Sequence, residues 1–227
     1  LNKPNTDSRV LFNQTKFADT CDFNNVYVYA VPRLEKITSL TKRTNYLNTS
    51  QKELILNELQ NYKMLTSEII INDPVYISVD LGIRRTNEVL TPEIADQSKL
   101  VITKNILSQI DSQSIKNEVY NIIKSYFDST NNSLGKLFNI NDLTNQIFAV
   151  NGVSDFYVER TDSTGTFKIP GLNFLVWNPV YPEGDINIVS QNYQIPYFKY
   201  PFLNNPLDFL NKIEVISVSN VNTKIEY

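Results

Sequence analysis

The stretch that most limits what this chain can become is EIIINDPVYISVDLGIR, Glu68 to Arg84. Three consecutive β-branched residues, Ile69, Ile70 and Ile71, precede an Asp73-Pro74 turn. After it Val75, Ile77, Val79, Leu81 and Ile83 alternate with Tyr76, Ser78, Asp80, Gly82 and Arg84. The unbroken apolar run predicts a strand covered on both sides. The alternation predicts a strand with one buried and one polar face. Pro74 lacks an N–H and fixes φ, so it suits the junction and neither strand interior.

The flanking pattern adds helices. NVYVYAVP, Asn25 to Pro32, predicts a strand, followed by a polar linker over 33–48. Ser50-Gln51-Lys52-Glu53 has the spacing of a capping box,. The helix it opens carries Leu54, Ile55, Leu56 and Leu59, reaches about Tyr62, and is expected to lie on a sheet,. Strand, helix, strand predicts a parallel pairing of 26–31 with 67–72 through a right-handed crossover. Leu100-Val101-Ile102 predicts another strand. Asp111 or Ser114 caps a second helix with Ile115, Val119, Ile122, Ile123 and Tyr126 on one face,. Asn141 is expected to cap a short helix with Leu143 and Ile147, stopped at Asn151-Gly152, before a strand from Val153 to Arg160,.

The order β-α-β-β-(β)-α-α-β predicts an α+β domain over 25–160, a mixed sheet with helices on one face. Residues 1–24 are expected to be an extended lead-in from an upstream domain. After Arg160 the composition shifts: prolines 170, 179, 182, 196, 201 and 206 fall among Phe167, Phe174, Trp177, Tyr181, Tyr193, Tyr197, Phe198, Tyr200 and Phe202. Residues 161–227 are therefore expected to form a C-terminal arm or small β subdomain, with short strands near 172–177 and 213–218, too Pro-rich for a central sheet.

Chemistry is limited by what is missing. The 227 residues include no histidine, one cysteine (Cys21) and six glycines. That removes His-based triads and zinc ligation, intrachain disulfides and a thiol activated by imidazole. Neither GxGxxG nor GxxxxGK occurs,. A net charge of -3 without a basic cluster gives no footprint for nucleic acid,. No apolar run approaches the ~20 residues of a membrane span. Of the carboxylates, Asp73 precedes proline in a turn and Asp80 sits on the strand's polar face. Asp155 and Glu159 lie about 13 Å apart by strand rise, outside glycosidase spacing. The sequence predicts no enzyme, cofactor, metal or small-molecule substrate.

The phrases themselves carry a resemblance. NVYVYAVP, a helix, YKMLTSEIIINDPVYISVDLGI, a helix ending IIKSYFD, and LFNINDLTNQIFAVNGVSDFYVER resemble, in that order, the baseplate J-like proteins of contractile phage tails. They are most similar to the large baseplate wedge subunit of T4-like phages, over Asn25 to Arg160. The resemblance implies a non-enzymatic virion part, assembled in the host cytoplasm. It would join neighbouring copies and other wedge proteins into the ring around the tail tube and transmit the shape change that triggers sheath contraction. The aromatic segment after Arg160 matches no phrase of that family.

Aromatic side chains are enriched in protein interfaces. The arm is accordingly expected to self-associate through Trp177, Tyr181, Tyr197, Phe198 and Phe202. Arg84, beside a strand end, is the alternative contact. A reading from a different class makes the arm a carbohydrate-binding, host-receptor module in which Trp177, Tyr181, Tyr193 and Tyr197 stack on sugars.

Overall fold

The computed structural model describes residues 25–32, 46–62, 68–128 and 131–217. The expected lead-in over 1–24, Cys21 and most of the 33–48 linker lie outside them. The fold is α+β, with strands and helices interspersed along the chain.

The first unit is β1 (Asn25–Tyr29), α1 (Thr49–Gln60) and β2 (Glu68–Asn72). β1 and β2 pair in parallel, Tyr27 opposite Ile70, as strand-helix-strand order requires,. Two local expectations are corrected. The capping box of α1 belongs to Asn48 and Gln51, not Ser50 and Glu53: Asn48 Oδ1 accepts from the Gln51 amide at 2.8 Å, and Gln51 Oε1 accepts from the Asn48 amide at 3.0 Å. The amide pair closes the same reciprocal geometry two residues earlier. Nor is the unit closely covered. α1 buries no residue, Leu54 is 66% exposed, and the three isoleucines of β2 are only half-buried.

Two four-stranded sheets form the body. One has the order β11-β3-β8-β9, from β3 (Val75–Leu81), β8 (Phe174–Trp177), β9 (Ile186–Val189) and β11 (Lys199–Leu203). The other has the order β12-β4-β6-β7, from β4 (Ser98–Lys104), β6 (Val153–Asp162), β7 (Gly165–Pro170) and β12 (Ile213–Ser217). In each, one edge strand runs parallel to its neighbour and the remaining pairs are antiparallel. β5 (Leu137–Phe138) and β10 (Tyr193–Gln194) make a short separate pair.

α2 (Ser112–Tyr126) is capped by Asp111, whose carboxylate accepts from the Gln113 and Ser114 amides. It turns Ile115, Val119 and Ile123 inward. α3 (Ile140–Phe148) starts two residues before the expected position, because Asn139 rather than Asn141 caps it by accepting from the Asp142 amide. With α4 (Pro206–Asn211) these helices close a core shared by both sheets, in which Leu100, Ile102, Phe156, Val158 and Ile213 meet Ile77, Val79, Leu81 and Phe174.

The largest correction concerns β3. It is not a strand with one wet face: every residue from Tyr76 to Leu81 is buried. Strands from the segment after Arg160 flank β3, and their side chains, with Ile94 and Ala95, bury the side expected to be polar. β11 pairs with β3 on one edge, β8 on the other. Tyr200 and Phe202 pack with Tyr76, while Leu175 and Trp177 pack with Ile94 and Ala95. Gly82, just past β3, marks how closely the neighbouring β8 strand approaches, since a Cβ there would lie 2.7 Å from Leu175 Cβ. The arm is thus woven into the body, with β7 and β12 joining the second sheet. Its prolines fit this placement. Pro201 lies in an edge strand, Pro170 ends β7, and Pro206 opens α4,.

Candidate assembly interface

The six residues singled out from the sequence divide into two groups. Trp177, Phe198 and Phe202 are buried within the chain, at 6%, 6% and 3% exposure. Trp177 stands opposite Ser78 in β3, and Phe202 sits on the other side of the same serine. Docking another molecule onto either ring would require displacing the side chains packed on it, Ile94 and Ala95 at Trp177 and Tyr76 and Tyr200 at Phe202. Tyr181 and Tyr197 are exposed at 53% and 60%, and Arg84 is exposed just past the end of β3. The edge expected beside Arg84 is absent, because β3 is an inner strand.

Tyr197 forms part of a joint. Its ring stands edge-on to Tyr29 of β1, 5.7 Å between centroids, and edge-on to Phe198 at 5.4 Å. Tyr29 also meets Phe198 at 6.0 Å. These aromatics hold the β1-α1-β2 unit against the body, beside two further contacts: Tyr46 edge-on to Tyr76, and a Lys52–Asp73 ion pair of 2.7 Å. Gly135 lies under the joint with φ +62, and a Cβ there would meet Tyr197 Cα at 2.9 Å. The geometry does not make a sugar platform of the four rings proposed for one. Trp177 is buried, and Tyr197 is engaged edge-on with two other aromatics.

Sequence reasoning missed the buried charges. Asp80 is 1% exposed; its carboxylate accepts from Lys212 Nζ and from the Leu81 amide, each at 2.8 Å. Burial pushes its carboxyl above the ordinary value, opposed by Lys212 and the amide,. Lys199 Nζ reaches both oxygens of Asp185 at 2.8 Å, linking the start of β11 to the turn before β9. Arg160 donates to both oxygens of Glu88 at 2.7 Å, to the Ile83 carbonyl and to Gln97. The guanidinium holds the Glu88 carboxyl below its ordinary value, and Arg85 does the same for Asp162. These pairs pin the 84–97 loop and the two edges of the first sheet. Their partners lie far apart in the sequence, Asp80 and Lys212 by 132 positions, so no local pattern announces them.

A surface groove of about 440 Å³ between α2 and α3 is lined by Glu118, Ile122, Tyr126, Lys136 and Gln146 among others. Lys136 Nζ is already held there by the carbonyls of Tyr126 and Asn131, at 2.7 and 2.8 Å. Among the described residues no three His, Cys, Asp or Glu side chains are grouped to hold a metal, and no helix is long and apolar enough to cross a membrane.

No protein-family model matches the chain, and no curated protein matches it significantly.

Proposed function

We propose that this chain is a structural, non-enzymatic subunit of a contractile-tail baseplate, a wedge-type part that joins its neighbours and passes on the shape change that releases the sheath. One observation carries the reading. The phrases behind the resemblance each fall on regular elements: NVYVY on β1, EIIINDPVYISVDL on β2, the turn and β3, IIKSYFD at the end of α2, and VSDFYVER within β6. The arrangement also suits force transmission. β2 continues through Asp73-Pro74 into β3, whose residues are bonded to strands on both sides. A pull on the small unit therefore loads the centre of the body. On this reading the chain self-associates, meets other wedge proteins and resides in the virion after assembly in the host cytoplasm.

The test is electron microscopy of contractile tails decorated with an antibody raised against this chain. Label confined to the baseplate end is the expected result. Label along the sheath, on the fibres alone, or on no tail overturns the reading.

A further inference from the structure

β1 and β2 form a two-stranded sheet, and among the described residues no third strand pairs with either. Two strands alone are marginal in water; a stable sheet needs more strands or a good cover. α1 gives little cover, since it buries no residue. Nor does the composition of β1 blunt its edge. Natural edge strands are blunted by charge, proline or shortness. Here β7 carries Lys168 and Pro170, β11 carries Pro201, β12 carries Glu214, and β9 is only four residues long. β1 is five residues of Asn, Val and Tyr, with no charge and no proline, and Val26 is 49% exposed.

We propose that β1 pairs antiparallel, edge to edge, with β1 of a second copy of this chain, giving one four-stranded sheet in the order β2-β1-β1-β2. The strand's own sequence argues for a second copy as occupant. Val26-Tyr27-Val28 reads the same in both directions about Tyr27. A two-fold axis at Tyr27 puts each Val26 opposite Val28 of the other copy and the two Tyr27 rings opposite each other. Over residues 26–28 aromatic and β-branched residues then meet their own kind, Tyr29 faces Asn25, and no like charges face one another,. A contact of this kind is isologous and closes at two copies. The inference rests on the assembly reading above and names its surface.

The test uses the full chain with Cys21→Ser, which removes the lone cysteine, and adds single cysteines in β1. Directly opposed residues in an antiparallel pair have Cα atoms about 4.5–5.5 Å apart, within disulfide reach. Tyr27→Cys is therefore expected to give a disulfide-linked dimer on mild oxidation. Val26→Cys is not, because two copies of residue 26 lie on a diagonal about 7–8 Å apart. Mixing Val26→Cys with Val28→Cys restores cross-linking. Failure of Tyr27→Cys to cross-link at concentrations where the parent sediments as a dimer overturns the proposal, as does equal cross-linking at 26 and 27.

A second measurement needs no substitution. Amide exchange at residues 26–28 of the parent should slow as concentration rises. Protection independent of concentration means that the chain's own residues cover the edge, and overturns the pairing. Baseplate labelling without cross-linking sinks this inference alone; cross-linking without labelling sinks the baseplate reading and keeps the dimer.

Discussion

α1 and α2 each open on a side-chain cap and behave as opposites. In α2 the apolar residues recur on one face, whereas Leu54, Ile55 and Leu56 of α1 are consecutive and spread around the helix. α2 buries Ile115, Val119 and Ile123 to 0% exposure, while α1 leaves Leu54 66% exposed and buries nothing. The difference lies in what each helix has to cover. α2 faces the inner side of a four-stranded sheet together with α3 and α4; α1 faces two strands. A periodic stripe states which side of a helix is apolar, and the size of the surface opposite decides how far that side is removed from water. The molecule is accordingly a strongly packed body carrying a lightly packed β1-α1-β2 unit.

The largest effect that could break this contrast comes from shortening the chain. Sequence periodicity made 25–160 look like a complete set of strands and helices. In the structure, ending the chain at Arg160 removes β8, β9 and β11, leaving β3 without either partner strand, and strips β7 and β12 from the other sheet. Edges of β3 that are hydrogen-bonded become bare, and Tyr76, Ile77 and Val79 lose their cover. Such a chain is expected to give no cooperative thermal transition and to bind an apolar dye as a molten species does. A sharp transition would show that the segment after Arg160 is an appendage after all.

Next in size is a single ring. Trp177→Ala deletes a buried side chain between β3 and the Ile94-Ala95 turn. Truncations of this kind cost about 3–5 kcal/mol, and urea unfolding should register that loss. Tyr181→Ala, at a ring 53% exposed, should stay within about 0.5 kcal/mol of the parent. A Trp177→Ala chain as stable as the parent but unable to associate would return Trp177 to the interface and reverse the assignment.

The same residues show what the sequence could and could not reveal. The α+β class and the parallel pairing of β1 with β2 follow from the order of the elements, and the Asp111 cap and the buried face of α2 from local spacing that chain neighbours determine. The two-sided burial of β3 does not. Whether Tyr76, Ser78 and Asp80 meet water depends on Phe202 and Trp177, residues about a hundred positions downstream, and nothing local announces that they return. Asp80 illustrates the trap: an aspartate on alternate positions reads as a wet face, whereas here it answers Lys212. The aromatic run after Arg160 was legible as something needing cover. That the cover was the chain's own core, for three of the five rings, was a long-range fact.

The smallest expected effect sharpens the comparison most, because it separates the two helices by the same change. Asn48→Ala removes the side chain that accepts from the Gln51 amide, and Asp111→Ala removes the one that accepts from the Gln113 and Ser114 amides. Loss of such a cap costs about 1 kcal/mol, a factor of about five in an equilibrium constant. At α2 that loss falls on a helix whose inward face belongs to the core shared by both sheets, so the whole transition should shift to lower urea. At α1 no buried residue ties the helix to that core. The loss should stay local, with amides of 52–60 exchanging about fivefold faster while the global midpoint is unchanged. An Asn48→Ala chain whose midpoint falls as far as that of Asp111→Ala would mean that β1-α1-β2 unfolds with the body, and that the aromatic joint at Tyr29 and Tyr197 couples the two more tightly than burial indicates.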